Sequence, residues 1–302
     1  MTTTNGAATP SDRKLKILML HGFTQTGRTF DIKTKALKKS LDKHFPPGPK
    51  PGHLKQYPGG VELVYPTAPI RLDVADIPGF DVDGDKESPE AYGWWRRKGD
   101  DEPYTYEGME LGLARIAETL TEQGPFGGVL GFSQGGAAAG MVASLLEPGR
   151  REAFEAAQAA GGMRYPDSFV QDTGYIEEAI HPALRFAVSY SGFGASNNAL
   201  YRAFYEPKIA TPMCHFLGSV DTVVSEERSL RLVDSCVGGR GVEGGVPRVV
   251  YHPGGHFLPS SGKQYVAALV AFIREAIGES EQGVVGDGGK QEQRVEDMEM
   301  PF

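Results

Sequence analysis

Gly131-Phe132-Ser133-Gln134-Gly135 stands between an apolar run, Phe126 to Leu130, and an Ala-, Met- and Leu-rich stretch, Gly136 to Leu146. The run predicts a strand, the glycines a tight turn, and the stretch beyond them a helix. A single serine falls at the apex. Small residues on both sides of it let the backbone bend sharply, so that the hydroxyl projects above the sheet edge with a helix N-terminus beneath. The pentapeptide alone is weak in a chain with 40 glycines, where a glycine-rich connection of no chemical consequence is the plain alternative.

The order of the other motifs decides between these readings. Upstream, the apolar run Leu15 to Leu20 ends directly in His21-Gly22-Phe23-Thr24-Gln25. Downstream, Met213 to Leu217 runs into Gly218-Ser219-Val220-Asp221, and Val249 to Tyr251 leads to Gly254-Gly255-His256. An acid after one late strand and a histidine after the next give the chain order Ser, Asp, His. With a glycine loop at an early strand tip, that is the order of the α/β-hydrolase fold, and not that of chymotrypsin or subtilisin.

Apolar runs of strand length recur at 15–20, 61–65, 126–130, 185–190, 212–217 and 248–252. Most are too continuous for a strand with one wet face and fit a mostly parallel sheet covered on both sides. Between them, Met109 to Leu120 and Tyr265 to Ile277 carry apolar residues at helical spacing. The expected class is therefore α/β, a mostly parallel, doubly wound sheet with helices on both faces, over residues 15–278. Residues 46–60 read as a Pro/Gly loop. Two insertions break the rhythm, at 66–106 and 147–184. The first directly follows a strand end, where pocket walls of open α/β sheets arise; the second is a candidate cap. Residues 1–14 and the acidic stretch 279–302 are expected to be disordered, having few large apolar groups to bury.

The chain of 302 residues is long enough for one large core, and its 40% hydrophobic and 23% charged content is that of an ordinary globular protein. A formal net charge of −8, with basic residues scattered, argues against nucleic-acid binding. The clusters Lys33-Thr34-Lys35 and Lys38-Lys39 read as the solvated face of a helix. No apolar run approaches the ~20 residues that span a bilayer, and residues 1–14 lack the apolar centre of a secretory signal. Two cysteines, Cys214 and Cys236, make no disulfide framework. The expectation is a cytoplasmic protein without membrane attachment.

A serine hydroxyl is a poor nucleophile at neutral pH and needs a base within hydrogen-bond reach. Ser133 is the expected nucleophile. His256, in a Gly-Gly loop free to reach inward, is preferred as base over His252, which the strand Val249–Tyr251 would hold by its pleat. Asp221 is expected to fix and stabilise the imidazole, with Asp234 on the following helix the poorer alternative; a loop aspartate that merely makes its own turn is the bland reading. The oxyanion needs donors, and the backbone N–H groups of Gln134 and Phe23 are the expected pair, His21 shaping the loop after the first strand that bears Phe23. Phe23, Trp94, Trp95, Phe193 and Phe257 are candidates to line an acyl pocket, with core packing the even alternative for each.

At this point the chain resembles the fungal serine hydrolases of the FSH type, a family that includes LovG-like thioesterases of polyketide pathways and an animal esterase. The matching pieces are Leu20-His21-Gly22-Phe23-Thr24-Gln25, Tyr65-Pro66-Thr67-Ala68-Pro69, Tyr92-Gly93-Trp94-Trp95, Gly131-Phe132-Ser133-Gln134-Gly135-Gly136, Ser191-Gly192-Phe193, Gly218-Ser219-Val220-Asp221-Thr222-Val223-Val224 and Gly254-Gly255-His256. The resemblance implies a cytosolic esterase or thioesterase, free of metal and cofactor, with Ser133, Asp221 and His256 as triad. The chain departs from it in a longer 147–184 stretch and in its acidic tail. The expected activity is cleavage of small-molecule carboxylic esters or thioesters through an acyl-serine intermediate. The first alternative is release of a polyketide or acyl chain from an acyl carrier protein in fungal secondary metabolism; the second is a non-catalytic binding protein on the same fold.

Overall fold

Six parallel strands form the central sheet of the computed structural model, which describes residues 12–73, 76–77, 90–172 and 177–279. Numbering only these strands, they are β1 (Leu15–Leu20), β2 (Val61–Val64), β3 (Gly128–Phe132), β4 (Phe186–Tyr190), β5 (Met213–Gly218) and β6 (Val249–His252). Their order across the sheet is β2-β1-β3-β4-β5-β6. The chain leaves β1 toward one edge and β3 toward the other, so the loops after these two neighbours diverge and leave a crevice at their carboxyl ends. Ser133 follows β3 directly, and His21 follows β1.

Burial on both faces follows from the alternation of side chains along each strand. Leu15, Ile17 and Met19 of β1 pack with Leu130 of β3 and Phe186, Val188 and Tyr190 of β4 on one face. That face is covered by α1 (Gly27–Lys33), α2 (Lys35–His44) and α7 (Lys263–Ala276), through Phe30, Leu37, Leu41, Leu269 and Phe272. Leu18, Leu20, Val129, Ala187 and Met213 face the other way. There they meet α3 (Met109–Gln123), α4 (Gln134–Leu145) and α6 (Glu226–Asp234), through Leu113, Ile116, Ala138, Val142 and Leu232. Every residue of α4 is buried, which its Gly/Ala content permits by letting the helix lie close on the sheet. Lys35, Lys38 and Lys39 are exposed on α2 while Leu37 and Leu41 face the core, as the charge pattern predicts.

The third strand begins at Gly128, two residues later than its apolar run suggests, and it continues through Gly131-Phe132 to the serine itself. The 66–106 insertion holds more order than its pattern shows: Ile70–Arg71 pairs with Tyr92–Gly93, and Arg96–Lys98 with Thr105–Glu107, both antiparallel.

The 147–184 insertion, expected as a candidate cap, packs elsewhere. It carries α5 (Arg150–Gln158) and a short ribbon, Val170–Asp172 with Glu177–Ala179. Tyr165 donates to the carbonyl of Leu145 at the end of α4. Twelve residues of α4 at 1.5 Å each carry the chain about 18 Å from Ser133 before the insertion starts.

Of the ends expected to be disordered, residues 1–11 and 280–302 lie outside the described residues. Lys14 pairs with Glu62, and Glu279 accepts from the N–H groups of Lys55 and Gln56. No helix among the described residues is long and apolar enough to cross a membrane.

Candidate active site

Ser133 has φ 55° and ψ −115°, a left-handed backbone that a residue with a Cβ adopts only when its surroundings impose it. The imposition is visible. Ser133 N–H donates to the carbonyl of Tyr190 on β4, and its own carbonyl accepts from Ala137 N–H in α4. The flanking glycines are required by backbone approach: a Cβ on Gly131 would overlap the Gly135 carbonyl, and one on Gly135 the carbonyl of Leu20. The turn between β3 and α4 thus aims the hydroxyl out of the sheet edge.

What it meets there is His256. The Ser133 Oγ and His256 Nε2 are 2.9 Å apart, and His256 Nδ1 is 2.7 Å from Asp221 Oδ2. A carboxylate only accepts, so Nδ1 carries the ring proton and Nε2 is left to accept from the serine hydroxyl. Asp221 is held from its other oxygen, Oδ1 accepting from the N–H groups of Val223 and Val224 at 2.9 Å each. Burial alone would raise its pKa. The hydrogen bonds from Val224, His256 and Val223 outweigh that and hold the carboxyl below its ordinary range, so it stays charged.

The loop after β1 supplies the opposite wall. His21 is buried and fully engaged. Its Nε2 accepts from Ala68 N–H at 3.0 Å, which leaves the proton on Nδ1, donated to the Gly22 carbonyl at 2.8 Å. Burial pulls its pKa down to about 4, so it remains neutral and serves as a strut for the loop. Among the described residues, the N–H groups of Phe23 and Gln134 find no acceptor. The Gln134 side chain is occupied instead, accepting from Trp94 N–H and donating to the Trp95 carbonyl, both at 2.8 Å. A cleft of about 560 Å³ opens over Ser133 and His256, walled by Phe23, Phe30, Ile77, Phe132, Phe257 and Leu258.

The profile of the serine hydrolase (FSH1) family matches residues 10–268. The chain belongs to this family of serine hydrolases. It is 29% identical over 276 residues to family of serine hydrolases 3 of Saccharomyces cerevisiae, covering 86% of this chain and 84% of that protein. To esterase OVCA2 of Xenopus tropicalis it is 27% identical over 270 residues, covering 87% of this chain and 93% of that one. A Schizosaccharomyces pombe protein named dihydrofolate reductase is 30% identical over 254 residues; the match takes in 82% of this chain and only 44% of that longer protein. Among solved structures, acyl-protein thioesterase 2 of Zea mays has a TM-score of 0.52 at 20% identity, covering 88% of this chain and 97% of that one. At that identity the likeness speaks for the α/β-hydrolase fold alone.

Within this serine hydrolase the structure brings together Ser133, His256, Asp221, Phe23, Gln134 and Phe257. It keeps the rivals away. His252 lies buried against Phe257 and Tyr265, with neither ring nitrogen hydrogen-bonded, and burial lowers its pKa. Asp234 is bound bidentately by Arg240 on the outer face of α6.

Three of the five aromatic residues expected as pocket walls are corrected. Trp94 and Trp95 are 0% and 2% exposed, Trp94 donating from Nε1 to the His21 carbonyl and Trp95 packing on Tyr106. Phe193 packs beside Tyr106 with the Arg228 guanidinium 4.4 Å over its ring. None of the three lines the cleft. The walls missed by sequence reasoning include Val223 and Leu258, each two residues beyond a motif side chain. Their place two residues past Asp221 and His256 was the available signal for both. Phe30, on α1, has none in sequence.

Proposed function

We propose that this serine hydrolase cleaves carboxylic esters through an acyl-serine intermediate, with Ser133 as nucleophile, His256 as base and Asp221 as the carboxylate that orients it. The observation that carries the reading is the unbroken line of hydrogen bonds from Ser133 Oγ through His256 to Asp221. Ser133 Oγ attacks the carbonyl carbon while its proton passes to His256 Nε2. The carbonyl oxygen becomes an oxyanion facing the free N–H groups of Phe23 and Gln134, donors each typically worth about 3–4 kcal/mol in the transition state. Collapse expels the alkoxide, which takes the proton from Nε2, and leaves the acyl-serine. Water then attacks with His256 as base, releasing the acid and restoring the hydroxyl. Asp221 stays ionised throughout and stabilises the imidazolium.

The name of the OVCA2 relatives supports an ester as substrate. The thioester variant uses the same atoms, with a thiolate leaving in place of the alkoxide. It includes the LovG-like role: freeing a polyketide or acyl chain from a carrier protein in secondary metabolism. Rates on matched oxygen esters, thioesters and a carrier-bound chain separate the two. A cytoplasmic setting belongs to the same reading, supported by two buried cysteines, Cys214 and Cys236, that remain free thiols.

Treatment with a fluorophosphonate probe tests the reading. The expected result is a covalent adduct on Ser133 that is absent in Ser133→Ala. No adduct on the folded protein would leave the non-catalytic alternative standing.

A further inference from the structure

The cleft over Ser133 is apolar along most of its wall, yet one cation enters it. Lys33, the last residue of α1, lines the cleft together with Phe30 and Thr34, and among the described residues no carboxylate side chain lines it. Its ammonium forms no ion pair among the described residues. Six residues of α1 separate it from Gly27, so it stands about 9 Å along the helix from the loop that bears Phe23 and Gln25. Helix α1, which carries it, and the following α2 are basic. Residues 27–44 hold six cations, Arg28, Lys33, Lys35, Lys38, Lys39 and Lys43, against Asp31 and Asp42, in a chain of net charge −8. All six cations are exposed, and among the described residues none of them is ion-paired.

A cation lining a largely apolar cleft with no ion-pair partner among the described residues, in a chain of net negative charge, is an arrangement that rewards a ligand of matching pattern. We propose that the preferred substrates are esters with an apolar body and an anionic group, such as a carboxylate, that pairs with Lys33. This rests on the ester-hydrolase reading above and names its substrate class. The basic face of α1 and α2 adds attraction at longer range, which salt weakens.

Two matched pairs of aryl esters test it: 4-nitrophenyl octanoate against the 4-nitrophenyl monoester of octanedioic acid, and, for the leaving-group side, the octanoyl ester of methyl 4-hydroxybenzoate against that of 4-hydroxybenzoate. The expected result is a higher kcat/KM for the anionic member of at least one pair, falling as ionic strength rises. Lys33→Gln should lower that anionic-to-neutral ratio about two- to fivefold, Lys33→Glu should lower it further, and Lys33→Arg should preserve it. Equal rates within both pairs, or a ratio that ignores Lys33→Glu, overturns the proposal while the hydrolase reading stands. Failure to cleave any of the four esters, with Ser133 also resisting fluorophosphonate, would instead sink the hydrolase reading.

Discussion

The side-chain amide of Gln134 donates from Nε2 to the backbone carbonyl of Trp95 at 2.8 Å, across 39 residues of chain. With its Oε1 accepting from Trp94 N–H, it pairs the first residue of α4 to an insertion that would otherwise bury two unsatisfied backbone groups. Gln134→Ala removes both partners. Each orphaned group costs about 1–3 kcal/mol, so the variant should lose about 2–6 kcal/mol of stability and show a lower denaturation midpoint. Because the proposed oxyanion donor is the Gln134 backbone, the folded fraction should keep measurable turnover. An unchanged midpoint would contradict the pairing.

His252 and His256 are four residues apart and differ in every respect that matters to a base. Replacement of His256 by Ala should depress kcat by about 10⁴-fold or more, as removal of a triad member does in serine hydrolases generally. Ser133→Ala should match it, and the double variant should be little worse than either. His252→Phe, which keeps ring volume against Phe257, should leave most activity. A loss with His252→Phe comparable to that with His256→Ala would reassign the base.

Much of the architecture can be read from the chain because a parallel sheet buries both faces of its strands, leaving continuous apolar runs such as Leu15–Leu20 and Phe186–Tyr190. The elbow and the Asp221 and His256 loops are local motifs at strand tips, legible for the same reason. What depends on distant pairing is not. Whether Trp94-Trp95 walls a pocket or fills the core is decided by Gln134 and by the His21 carbonyl, 40 and 73 residues away. The placement of residues 147–184 follows from the length of α4, since a long helix returns the chain to the opposite edge of the sheet. Phe30 reaches the cleft because α1 packs beside it, a fact of tertiary geometry with no periodic trace.

The strained backbone at Ser133 has a measurable consequence. Alanine at this position keeps the Cβ and therefore the strain at φ 55°; glycine removes it. Ser133→Gly should thus be more stable than Ser133→Ala by about 1 kcal/mol, with both expected to be inactive. The comparison of the two variants isolates the backbone, because the hydroxyl is absent from each. Equal melting temperatures would mean that the elbow carries no stored strain.

Acid should destabilise the fold well above the range where carboxylates titrate. Burial holds His21 at about 4 and His215 at about 3, against an ordinary value of 6.5, and lowers His181 and His252 as well. A histidine whose folded pKa is depressed binds its proton more readily in the unfolded chain. Its contribution is complete above 6.5 and shrinks as pH falls toward the folded value. Each such group removes about 1.4 kcal/mol per pH unit within that window, so His21 and His215 together should make the slope steep. Asp221, also depressed, acts in the same direction but only below the ordinary carboxylate range. Denaturant midpoints should therefore be flat from pH 8 to about 6.5 and drop continuously from there to pH 5. A midpoint that held level down to pH 5 would mean that these imidazoles are not buried neutral, and with that the His21 strut under the Phe23 loop would be lost.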